Sequence, residues 1–113
     1  MQVLRIDPTT RTVELLEVEP EEVAQTLHAS TLHSLELDAD HVLVMDDDPL
    51  YAGQTARFSF HDGTVARPFF APALVIGLAN SNWAHTTLDA AQVAARLQWE
   101  VWDATAQRYV VAP

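Results

Sequence analysis

The run ALVIGLA at residues 73–79 carries no polar side chain. A strand with one face in water alternates apolar and polar residues, and this one does not. It is also rich in branched side chains, so it fits a strand covered on both faces and is the candidate central strand of the fold.

Turn signals divide the rest of the chain into short elements. QVLRI and TVELLEV read as two strands joined by Asp7-Pro8-Thr9-Thr10, where Asp first and Pro second favour a type I turn. EPEEVAQTLH reads as a short amphipathic helix: Pro20 suits the first helical position, Glu21 and Glu22 complement the positive helix end, and Val23 and Leu27 lie four apart on one face. SLEL and HVLVM flank Asp38-Ala39-Asp40 as a second hairpin. In ARFSFH, Ala56, Phe58 and Phe60 alternate with Arg57, Ser59 and His61. Asp62-Gly63 is then expected to make a type I′ turn into a return strand at 64–67, ending at Pro68. TTLDAAQVAARL predicts a second helix starting at Thr86 or Thr87, with Asp89 as in a capping box and Val93 and Leu97 as its buried stripe. QWEVWD and RYVV, around residues 104–107, predict a closing hairpin. The expectation is one α+β domain over residues 1–113, a mainly antiparallel sheet of hairpins with two short helices packed on it.

Charge is the next constraint. Residues 1–50 hold twelve carboxylates and two arginines, a net of −10, whereas residues 51–113 hold four of each. There is no lysine and the six arginines are scattered, so no stretch offers the clustered basic surface that nucleic-acid binding needs. The absence of cysteine excludes disulfides, thiolate zinc sites and a cysteine nucleophile. No apolar stretch approaches the ~18 residues of a membrane span or forms a signal-peptide core, so cytoplasmic residence is the expectation.

The segments VLRIDPTTRTVELLEV, VLVMDDDPLYAG, PALVIG and TLDAAQVAARLQW stand in the order seen in a family of small proteins of unknown function encoded mainly by phages, plasmids and other mobile elements, which the chain resembles over most of its length. Pro49 and the continuation EVWDATAQRYVVAP depart from that pattern. The resemblance implies a mobile-element origin and a small α+β fold, and it carries over no catalytic residue.

The Asp46-Asp47-Asp48 triplet invites a metal, but a calcium loop starting at Asp38 fails at its sixth position, Leu43, and its twelfth, Pro49. Neighbouring aspartates on an extended chain also point to opposite faces. The triplet reads as the wet end of a strand. His28, His33, His41, His61 and His85 lack zinc-ligand spacing, with His28 placed to close the first helix. His61-Asp62 resembles the doublet of phosphohydrolases without its other histidines, and Ser59, His61 and Asp62 lack a nucleophile elbow. Neither a catalytic residue nor a metal or cofactor is expected. Trp99 and Trp102 should fall on opposite faces of a strand, leaving one to anchor a partner.

The functional expectation is a non-enzymatic acidic interaction protein that binds or inhibits a basic host or defence protein through Glu17, Glu19, Glu21, Glu22, Asp38, Asp40, Asp46, Asp47 and Asp48. The alternative is a small-ligand or nucleotide-binding domain with weak hydrolase activity, its pocket near Trp83, His85 and Asn80-Ser81-Asn82. An open edge strand also allows a homodimer.

Overall fold

A computed structural model describes residues 1–46 and 54–113. Strands β1 (Gln2–Asp7) and β2 (Thr12–Glu17) form the first hairpin, in register from Gln2↔Glu17 to Asp7↔Thr12. A 3₁₀ turn, Pro20–Glu22, runs into α1 (Val23–Thr26), so the expected helix is present but tighter in its first turn. Val23 and Leu27 are buried as the spacing predicts. The helix ends because His28 takes φ +52, which lets its amide reach the Gln25 carbonyl and the Ala29 amide reach that of Ala24. This left-handed cap satisfies the last carbonyls by backbone geometry rather than by a cation at the helix end.

The second hairpin pairs β3 (Leu32–Asp38) with β4 (His41–Asp46), and a bulge between Glu36 and Asp38 turns Leu37 into the core. After β5 (Ala56–Phe60) come β6 (Ala73–Ala79), β7 (Asn82–Ala84), α2 (Ala90–Ala94), β8 (Leu97–Asp103) and β9 (Arg108–Val111). The fold is mostly antiparallel sheet with a few short helices. One large sheet runs β2-β1-β6-β4-β3, with β7 also on β6, and a smaller one runs β5-β8-β9.

The ALVIGLA run is central, as its pattern requires. On one face, Ala73 and Val75 join Leu4, Ile6, Leu43 and Met45 beneath Phe58, Phe60 and Leu97 of the small sheet and Val93 of α2. On the other, Leu74 and Ile76 join Val3 and Val44 beneath Val18, Val23 and Leu27. Leu74, Val75 and Ile76 are fully buried, each contributing roughly 1.5–3 kcal/mol of apolar burial.

Three expectations are corrected. The strands form two antiparallel sheets that share an apolar cluster, instead of a single sheet, while the two short helices are present and packed as expected. The 64–67 segment is not a strand and Asp62-Gly63 is not a type I′ turn: among this pair only Gly63 has positive φ, +77. Strand β5 instead pairs with β8, from Ala56↔Val101 to Phe60↔Leu97, which sets Phe58 and Phe60 opposite Trp99 and Leu97. The return segment keeps a single bridge, Phe58 to Phe69. The two successive positive φ values of a type I′ turn occur at Asn80 and Ser81, +52 and +65, between β6 and β7. Lastly, α2 begins at Ala90, capped by Asp89 in a box with Gln92, because Thr86 and Thr87 are held outside the helix by the Thr86 hydroxyl on Leu88 and by His41. Leu97, expected on that helix, opens β8.

Gly77 stands where a Cβ would lie 2.1 Å from the His85 carbonyl oxygen. Gly77→Ala is expected to cost about 3 kcal/mol, since backbone must move. Gly63→Ala meets open space and only the left-handed φ, so about 1 kcal/mol is expected. Urea unfolding of the two variants checks the order, and equal losses would contradict the close approach at β6.

Candidate functional site

Register places the acidic residues. Gln2 pairs with Glu17, Leu4 with Val75 and Gly77 with His41, so Gly77 sits at the level of Gln2. The end of β2, the 3₁₀ turn and the β3–β4 turn therefore share one end of the large sheet. Glu17, Glu19, Glu21 and Glu22 crowd one side of that end, all exposed. Asp38 and Asp40 lie on its other side, four strand steps away, roughly 19 Å at the usual strand spacing. Asp46, opposite Leu32, is at the far end of the sheet. Asp47 and Asp48 lie outside the described residues. At physiological salt the Debye length is about 8 Å, so these groups act as separate patches rather than one continuous field.

Much of the acidity has a structural use. Asp7, Asp38, Asp62 and Asp103 each accept the amide of the residue two positions on, at 2.9, 2.8, 2.9 and 2.9 Å. These side-chain turns explain the recurring Asp-x-Thr and Asp-x-Asp spellings between strands. Glu22 Oε1 likewise accepts the Glu19 amide at 3.0 Å, fixing the 3₁₀ turn. The cation among the glutamates is the Met1 amino group, 3.1 Å from Glu17 and 3.9 Å from Glu19.

The structure assembles one constellation that spacing did not reveal. His41, 3% exposed, has Nδ1 2.9 Å from Asp38 Oδ1, while its Nε2 lies 3.1 Å from the Thr87 amide and 3.2 Å from Thr87 Oγ1. An Asp–His–Thr series has the outline of a nucleophilic triad. Its Nε2 lone pair, however, is the acceptor for a backbone N–H, which fixes the proton on Nδ1 and spends the base on pinning the 86–89 segment to β4. Burial pushes the Asp38 carboxyl up, but the bonds from His41 and the Asp40 amide outweigh it and hold the carboxyl below its ordinary value. The site reads as a structural clasp.

Other candidates are similarly occupied. His85 Nδ1 accepts the Gln2 amide, His61 Nε2 meets the Ala95 carbonyl, and Trp83 packs on the cluster over α1. Asn80 and Ser81 make the turn. Among the described residues no three His, Cys, Asp or Glu side chains gather to hold a metal ion, and no helix is long and apolar enough to cross a membrane. Two shallow concavities flank Arg67 instead: about 250 Å³ beside Arg57, Ser59 and Glu100, and about 340 Å³ beside His33 and Leu35. Arg57 is already committed, with its Nε 2.6 Å from Glu100 and its guanidinium 4.1 Å over the Tyr109 ring.

Trp99 and Trp102 do face opposite ways. Trp99 packs at the core edge against Phe58, and Trp102 is 44% exposed beside Tyr109.

Two tests separate structural from reactive use. His41→Leu removes the acceptor of the Thr87 amide and is expected to cost about 2 kcal/mol, whereas Thr87→Val keeps that amide and is expected to cost under about 0.5 kcal/mol. A Thr87→Val loss as large as that of His41→Leu in urea unfolding would contradict the clasp. The Thr64 amide, then Arg96, hold the Asp62 carboxyl down from 3.8 to about 2. A depressed folded value stabilises above the unfolded one and is lost as pH falls through the folded one. Wild-type stability should therefore drop between about pH 4 and pH 2, with a shallower drop in Asp62→Asn; parallel acid-unfolding curves would contradict the assignment. Comparison with protein-family models, curated proteins and solved structures finds no match.

Proposed function

We propose that the protein is a non-enzymatic interaction module of mobile-element origin that engages a basic surface on a partner protein, such as a host or defence protein. The observation that carries this reading is the crowding of Glu17, Glu19, Glu21 and Glu22 at the end of β2, exposed on a turn stiffened by Pro20 and the Glu19–Glu22 bonds. The Met1 amino group offsets one of these charges, the remaining carboxylates repel one another, and a cationic partner surface relieves that repulsion on docking. The fixed turn means that little chain entropy is lost when the carboxylates are engaged. Asp38 and Asp40, on the other side of the same end, add a second weaker attraction that steers approach without defining the contact.

The chemistry favours a protein over a nucleic acid because the charge has the wrong sign for phosphates. The committed roles of His41, His61, His85 and Arg57 favour binding over catalysis.

Affinity capture from host lysate with the tagged chain, followed by titration of the purified partner, tests this reading. A basic partner is expected. Its Kd should rise at least about tenfold for Glu17→Gln/Glu21→Gln, which spares the Glu19–Glu22 bonds, and again from about 50 to about 500 mM salt, while Asp46→Asn leaves it unchanged. Partners that are acidic, or that bind the double variant as tightly as wild type, would overturn it.

A further inference from the structure

Among the described residues, two of the three large apolar side chains most exposed to water, Trp102 at 44% and Val111 at 62%, belong to the small sheet. Alternation places them on the same face. Ala56, Phe58 and Phe60 pair with Val101, Trp99 and Leu97 on the core side, so Glu100, Trp102, Tyr109 and Val111 look outward. This outer face is ordered without a partner. Trp102 and Tyr109 rings meet edge to face at 5.3 Å, and the Tyr109 hydroxyl donates to the Gln54 carbonyl at 2.7 Å. The three strands carry Arg57, Arg108, Glu100 and Asp103, so the sheet is neutral within a chain of net charge −10.

Among the described residues β9 pairs with β8 alone. The Ala112 amide donates to the Trp99 carbonyl at 2.7 Å, so by antiparallel alternation Arg108, Val110 and Ala112 direct their backbone groups to β8. Tyr109 and Val111 direct theirs away. We infer that β9 pairs antiparallel with β9 of a second copy about a two-fold axis at Val110, joining the two small sheets into one of six strands. Tyr109 of each copy then exchanges both backbone bonds with Val111 of the other. The same pairing brings their outward side chains together beside Trp102, which covers the apolar patch.

A second copy fits this surface for two reasons. The outward groups at 109 and 111 are self-complementary under a two-fold, so each copy supplies both the donors and the acceptors that the other needs. Neutrality matters as well: two chains of like charge meet at least cost where each carries no net charge, and the acidic residues of β2 and the 3₁₀ turn belong to the other sheet.

Sedimentation velocity from about 1 to about 100 µM tests the pairing, and salt separates it from the acidic-end reading. A reversible dimer is expected that tightens as salt screens the like charges, opposite in sign to a complex with a basic protein. Val111→Pro, which removes only an outward amide, and Val111→Lys, which keeps the backbone, should each raise the dimer Kd at least about tenfold. Leu15→Lys, at the exposed apolar residue of the β2 edge, should leave it unchanged. A chain monomeric at the highest concentration, a dimer that loosens with salt, or one broken by Leu15→Lys and not by either Val111 variant would overturn the inference.

Discussion

Burial of β6 on both faces is the constraint from which the rest of the structure follows. A strand spelled ALVIGLA cannot leave a face in water without exposing Leu74 and Ile76 or Val75, so it requires a layer above and a layer below. The chain provides them unequally. Two aromatic residues of β5, with Leu97 and Val93, cover one side, while Val18, Val23 and Leu27 cover the other. Strands β1 and β4 bond its two edges, and at Gly77 the carbonyl of His85, just past the end of β7, comes so close that no side chain fits. The position of each candidate site is set by this arrangement: the end of β6 defines the acidic end, and the layer over Val75 is the small sheet whose far side presents Trp102.

Local features were legible in the sequence because local physics decides them. The first, second and closing hairpins, the central run and the buried pair Val23 and Leu27 depend on side-chain period and turn residues within a few positions. The pairing of β5 with β8 does not. Its partners are separated by a long stretch of chain, and Asp62-Gly63 is a plausible turn that loses to a better apolar match of Phe58 and Phe60 with Trp99 and Leu97. Asn80-Ser81 makes the type I′ turn with no glycine because asparagine tolerates the left-handed region and the pairing of β6 with β7 holds Ser81 there as well. Thr86 and Thr87 look like caps until His41, distant in sequence, takes the Thr87 amide.

The site was legible in part for the same reason. Counting carboxylates located the charge, but not its division, because strand order decides which residues share an end. Asp38 illustrates the limit. It reads as a charge for a partner, and in the folded chain its oxygen holds both a turn and His41. Glu21 is exposed, and Glu17 is exposed with an ion pair to the Met1 amino group, so the proposed interaction contracts onto them and their neighbours. What emerges is a molecule with a charged end on one sheet and a neutral aromatic face on the other, and the associations proposed for the two surfaces would respond to salt with opposite sign.

Native-state hydrogen exchange across the chain tests the dependence on β6 most directly. If the strand is the shared floor of both apolar layers, the amides of Leu74, Val75 and Ile76 exchange only with global unfolding, at the full free energy of the fold and with its denaturant slope. Exchange of these three through an opening well below the global free energy, while β8 or α1 stayed protected, would contradict the account, because the layers would then hold together without the strand said to join them.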